Sequence, residues 1–190
     1  MKIVLASKSP RRKEILSMVA PQFEIRVSDA DETIDSLLSP FDVPRVLAQK
    51  KARSVAINAG EIIIGCDTIV ISSDGEIMGK PKDDNDAVRM LKKLSGTAHY
   101  VVSGICVRTK EKEFSEAVTT RVTMRKLEDS EIAAYVERDH PTDKAGAYGI
   151  QDMAGAFVSG IEGDFYNVVG LPLCRLCEIL KEEFNLILIK

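Results

Sequence analysis

Glu61-Ile62-Ile63-Ile64-Gly65-Cys66-Asp67-Thr68-Ile69-Val70-Ile71 is the run on which the fold turns. It is two β-rich stretches with one acid between them. Nearly continuous β-branched residues predict a strand buried on both faces, hence the centre of a sheet. A carboxylate inside such a strand is costly unless it is paired, hydrogen-bonded or metal-bound. Asp67 is therefore a candidate catalytic residue, the alternative being a structural acid at a bend beside Gly65. Cys66 has no histidine near it in sequence to activate a thiol, so packing is its expected role.

Upstream, Ile3-Val4-Leu5 reads as a short buried strand that runs into Ala6-Ser7-Lys8-Ser9-Pro10-Arg11-Arg12. Pro10 suits the first position of a helix, predicted over 10–19. A helix start offers unpaired N–H groups to an anion. Arg11 and Arg12 would add planar forks suited to phosphate oxygens. Alternatively, Ser7 or Ser9 merely caps the helix and the arginines are solvated; composition alone does not choose. Residues 23–27 alternate like a strand, followed by the acidic loop Ser28-Asp29-Ala30-Asp31-Glu32, which is either a solvated turn or oxygen ligands for a hard cation. A second helix is predicted from Asp42 as N-cap, with Val43 and Pro44 in its first turn, ending before Gly60. Either Lys50 or Lys51 on it could face a phosphate, and helix geometry leaves that choice open.

Downstream, Asp74-Gly75 signals a tight hairpin. Gly79-Lys80-Pro81 holds Lys80 extended before a proline, as a solvated loop lysine or a phosphate ligand. A helix over Asp84–Leu94, strands over Ala98–Arg108 and 114–126 forming an antiparallel ribbon, and a short helix over 129–137 follow. Residues 138–155 are polar, glycine-rich and aperiodic, as binding loops often are. A strand (156–161), a loop (163–167), a helix (171–183) and a strand (186–189) complete the chain. The expectation is one α/β domain over 1–190, with a central mixed, elongated sheet flanked by helices.

The 190 residues carry 26 basic and 29 acidic side chains, a net charge of −3, with 5% aromatics. That balance argues against a nucleic-acid surface. No apolar run reaches the roughly 20 residues that span a bilayer, and Lys8, Arg11 and Arg12 interrupt any secretory apolar region. No membrane association and a cytoplasmic address are expected. Cys174-x-x-Cys177 lies in an apolar helical run with no second ligand pair, so packing is expected there too. His99 and His140 match no metal spacing.

The motif L-A-S-K-S-P-R-R-K-E-I-L at 5–16 resembles the opening of the Maf family, the septum-formation-like nucleotide pyrophosphatases. Further blocks follow in family order: Gly65-Cys66-Asp67-Thr68, Gly79-Lys80-Pro81, Lys144-Ala145-Gly146-Ala147-Tyr148-Gly149-Ile150-Gln151, and Asn167-Val168-Val169-Gly170-Leu171-Pro172. They extend over essentially the whole chain. The resemblance implies an inosine-triphosphatase-like fold and hydrolysis of nucleoside triphosphates between the α- and β-phosphates, giving a nucleoside monophosphate and pyrophosphate. It implies Arg11, Arg12, Lys51 and Lys80 as cations on the phosphates, with Lys51 selected because it directly precedes an alanine. Ser7 and Ser9 become substrate contacts. Glu32 becomes a ligand of Mg²⁺ or Mn²⁺, and Asp67 becomes the base that prepares water, a metal ligand, or both.

The Ala147–Gln151 block looks like the subgroup acting on dTTP, UTP and modified pyrimidine nucleotides, in a house-cleaning role, with Gln151 able to pair with a pyrimidine edge or to position a water. Asp152 departs from the family, which has glycine there. A homodimer is a further implication. The competing function is a nucleotide-binding regulator of cell division without essential turnover; Asp67 and four candidate cations argue for turnover.

Overall fold

The computed structural model describes residues 1–34 and 37–189. Seven strands among the described residues form one mixed sheet: β1 (Lys2–Leu5), β2 (Glu24–Ile25), β3 (Glu61–Ile71), β4 (Ile77–Met78), β5 (Ala98–Arg108), β6 (Glu113–Met124) and β7 (Val158–Glu162). Their order is β2-β1-β3-β5-β6-β7, with β4 paired to β3. The β1/β2 and β1/β3 pairs are parallel; β3/β4 and β6/β7 are antiparallel. The helices are α1 (Pro10–Ser17), α2 (Val43–Ser54), α3 (Asp84–Leu94), α4 (Asp129–Asp139), α5 (Phe165–Val169) and α6 (Leu173–Phe184). The α/β class with a mixed sheet and flanking helices is as expected. None of these helices is long and apolar enough to cross a membrane.

The chain divides into two compact units. The first comprises Met1–Asp67, Ser103–Val118 and Gly170–Lys190; the second comprises Thr68–Val102 and Thr119–Val169. Strands β3, β5 and β6 each contribute residues to both.

In the first unit, helix α2 lies on the sheet through small residues. Ala48 and Ala52 are fully buried with Val4, Ala6, Ile63 and Cys106. Gly65 permits this approach: a Cβ there would sit 2.9 Å from the Ala52 Cβ and against the Ala48 carbonyl. In the second unit, α3 and α4 bury Leu91, Leu94, Ile132 and Tyr135 with Val101, Val122 and Phe157. Helix α4 begins with a reciprocal capping box between Glu128 and Glu131.

Two expectations are corrected. Residues 186–189 form no strand, because Asn185 turns left-handed (φ 52°) and the Leu186 N–H bonds back to the Leu180 carbonyl at 2.9 Å. Within the expected loop 163–167, α5 begins instead, the Asp164 carboxylate accepting the Tyr166 N–H at 2.8 Å. Helix α2 ends at Ser54, before Gly60 as expected, with Asp42 as its N-cap residue, although the Asp42 side chain makes no cap bond and accepts from Arg45 Nε at 3.2 Å.

Because the helix–strand approach leaves no room for a methyl group, Gly65→Ala should lower unfolding stability by about 1–3 kcal/mol, measured by chemical denaturation.

Candidate active site

Strand β1 hands the chain to the first turn beside β3. Leu5 is in register with Ile64, and the Ala6 N–H continues the pairing to the Ile64 carbonyl at 2.8 Å. Residues 6–9 therefore leave β1 alongside Gly65, Cys66 and Asp67. Ser9 caps α1, its hydroxyl accepting the Arg12 N–H at 3.5 Å, with Pro10 in the first turn. Ser7 is buried, and its Oγ accepts from the Ser9 N–H at 3.2 Å and from Arg12 Nη1 at 3.3 Å. Both hydroxyls thus shape the turn.

Arg12 is held from a second direction, its Nε donating to the Gly170 carbonyl at 2.9 Å. The Cys66 thiol donates to the same carbonyl at 3.3 Å and is fully buried. This is the packing role expected for Cys66, and it ties the Asp67 strand and the Arg12 helix to one backbone oxygen. Arg11, one position earlier in the helix, is half-buried.

The centre of the site is Lys51. Its Nζ lies 2.5 Å from Asp67 Oδ1 and 3.0 Å from Glu32 Oε1. The Lys51 and Asp67 side chains are only 13% and 11% exposed, whereas Glu32 is 64% exposed. The cost of burying the Asp67 charge is thus offset by a paired ammonium. Lys50 points elsewhere, donating to the Thr33 carbonyl at 2.7 Å. The wheel of α2 does choose between the two lysines. Val43, Pro44, Leu47, Ala48 and Ala52 are its buried residues, and at about 100° per residue Lys51 falls in the middle of that face. The acidic loop contributes less than its composition promised. Asp31 is spent locally, accepting from the Thr33 N–H at 2.9 Å and the Thr33 hydroxyl at 2.6 Å, which lowers its pKa.

Among the described residues, no group of three or more His, Cys, Asp or Glu converges as a metal cage. The donor set nevertheless suits a hard divalent cation, since two carboxylates from separate segments already share one cationic atom. Mg²⁺ commonly takes one or two carboxylates and completes its shell with water and phosphate oxygens.

Lys80 and Gln151 belong to the second unit, and both are exposed. There the Gly146 N–H donates to the Gly79 carbonyl at 3.0 Å, joining the Lys80 segment to the loop that carries Gln151. Gly146 has φ 68°, and a Cβ would meet the Val70 side chain at 2.8 Å. Ala147 takes φ 62°, a strained conformation for a residue with a Cβ. Asp152, the departure from the family pattern, lies 3.6 Å from Lys144 Nζ.

One supporting residue was missed from sequence. His99 is completely buried on β5, and its Nε2 shares a 2.7 Å hydrogen bond with the Tyr148 hydroxyl inside the Lys144–Gln151 block. Its place in a β-rich run was the available signal. The Cys174/Cys177 expectation is corrected in part: Cys174 is exposed and Cys177 half-buried on α6.

Residues 2–183 match the family model described as Maf-like protein. The chain belongs to this family. It is similar to a protein of Alkaliphilus metalliredigens (strain QYMF) named dTTP/UTP pyrophosphatase, 46% identical over 189 residues covering 97% of each chain. A protein of Bacillus cereus (strain B4264) with the same name is 46% identical over 182 residues, 95% of each chain. Among solved structures, the Ham1 protein of Staphylococcus aureus shows a partial likeness. Its TM-score is 0.48 at 17% identity, over 65% of this chain and 72% of that one.

Burial pushes the His99 imidazole down to about 4. Between pH 6.5 and 4 the unfolded chain takes up a proton that the folded chain refuses, so stability falls as pH drops through that window. Denaturation at pH 7 and pH 4.5 should show a loss in the wild type larger by about 2 kcal/mol than in His99→Gln.

Proposed function

We propose that this Maf-family chain hydrolyses nucleoside triphosphates, dTTP and UTP foremost, between the α- and β-phosphates to release pyrophosphate. The observation that carries the proposal is the Lys51 ammonium shared by Asp67 and Glu32 beside the Ser7–Arg12 turn. The names of the Alkaliphilus and Bacillus relatives support the same substrate class.

The chemistry asks for positive charge on the phosphate oxygens and a carboxylate to prepare water. Arg11 and Arg12 sit in the first turn of α1, where backbone N–H groups and the helix dipole also favour an anion. Arg12, fixed at Nε by Gly170 and at Nη1 by Ser7, has lost most of its rotamer freedom before substrate arrives, so binding orders it at little further entropy cost. Lys51 brings a compact charge on a flexible stem. Asp67, nearly buried on β3 and paired with Lys51 in the resting protein, is the acceptor best placed to take a proton from water. Mg²⁺ or Mn²⁺ held by Asp67 and Glu32 would supply charge neutralisation on the phosphate oxygens. Lys80 and Gln151 are part of the same proposal, as a phosphate contact and as the group selecting the pyrimidine edge. Cytoplasmic residence and a homodimer complete the reading.

Pyrophosphate release from dTTP and UTP with Mg²⁺ should fall about 100-fold or more in kcat in Asp67→Asn, with nucleotide binding retained. Full activity in a folded Asp67→Asn protein would overturn the assignment of that acid. Nucleotide binding without turnover in the wild type would favour a regulatory binding protein instead. Gln151→Ala should reduce the kcat/KM preference for UTP over GTP roughly tenfold or more, read from a panel of triphosphates.

A further inference from the structure

We propose that Lys51 is a resident counter-ion of the Asp67 and Glu32 carboxylates, which a divalent cation must displace before the lysine can serve a phosphate. The inference rests on the metal-dependent reading of this site and goes beyond it, because it concerns the order in which the site is filled.

Two carboxylates from different segments, one in β3 and one in the loop before α2, converge on a single nitrogen at 2.5 and 3.0 Å. These oxygens are the ligands a hard cation would need. An ammonium has three donors and no acceptor, so it cannot join a metal's coordination shell. Two like charges sharing the same oxygens repel, most strongly at Asp67, whose side chain is only 11% exposed. Metal and lysine are therefore alternative occupants. The lysine stem is long enough to swing away, and its strongest new partner would be a phosphate oxygen. Lysine at this point has two effects. It keeps the Asp67 charge compensated in the resting protein, and it lowers metal affinity by a penalty that shrinks when a nucleotide phosphate offers the displaced ammonium a new partner. Metal and nucleotide should then each raise the other's affinity, as linkage requires.

The test is the Mn²⁺ dissociation constant of the nucleotide-free protein, read from the EPR signal of unbound Mn²⁺. Lys51→Met should bind Mn²⁺ at least tenfold more tightly than the wild type. Lys50→Met, which removes the same charge one position away, should stay within twofold. Unchanged or weaker binding in Lys51→Met, or equal tightening in both variants, overturns the proposal. Because Lys51→Met leaves Asp67 without its partner and can lose the fold, a second measurement uses the wild type alone. Reductive methylation of Lys51, followed by peptide mass spectrometry, should accelerate at least fivefold on adding Mg²⁺ while Lys50 is unaffected; an unchanged rate overturns the proposal. A wild type that releases pyrophosphate while Lys51→Met binds Mn²⁺ no tighter loses the displacement and keeps the enzymatic reading. One that shows the displacement but hydrolyses no triphosphate keeps the former and loses the latter.

Discussion

A carboxylate in the middle of a buried strand requires a cation, and here the cation comes from a helix that must lie almost on the sheet to deliver it. The 2.5 Å contact between Lys51 and Asp67 sets the demands on everything near it. Helix α2 must approach β3 closely, which requires Gly65 below and Ala48 and Ala52 above. The loop after β2 must return over the start of the pair, which the Lys50 bond to the Thr33 carbonyl secures. Glu32 then completes a small charge cluster whose cation is supplied by the chain itself. Neighbouring lysines on one helix do different work: one fastens the loop, and the other pairs with Asp67 and Glu32.

The first turn obeys a related logic. An arginine free to sample solvent would pay side-chain entropy on every binding event. Arg12 is instead restrained by a hydroxyl and a backbone carbonyl. The carbonyl is that of Gly170, which also receives the Cys66 thiol. Residues far apart in sequence, in the S-P-R-R, G-C-D-T and N-V-V-G-L-P blocks, thus meet at one oxygen atom. In the second unit the Lys144–Gln151 loop is anchored in the same manner, by the buried His99–Tyr148 hydrogen bond and the Gly146–Gly79 backbone bond.

Much of this was legible in the sequence because its causes are local. Continuous β-branched residues mark β3, Pro10 after a serine marks α1, and an unpaired acid in a strand marks Asp67 as needing a partner. The identity of that partner was also written in α2, since the buried face Val43, Pro44, Leu47, Ala48 and Ala52 has Lys51 at its middle. Other features depend on distant contacts and leave no local trace. The Gly170 carbonyl as anchor for Arg12 and Cys66 is one, and the pairing of His99 with Tyr148 across 49 positions is another. The apparent strand at 186–189 failed for a complementary reason: alternation alone does not supply a neighbouring strand, and Asn185 turns the chain away. In the acidic loop Asp31 satisfies its own turn, leaving Glu32, the residue the resemblance singled out, as the carboxylate that reaches Lys51.

The most direct measurement is ³¹P NMR of the products from dTTP with Mg²⁺, repeated in ¹⁸O-labelled water. The account predicts one equivalent each of dTMP and pyrophosphate, no inorganic phosphate, and one labelled oxygen from water in one of the two products. Formation of dTDP with inorganic phosphate, or no conversion of dTTP, would contradict it.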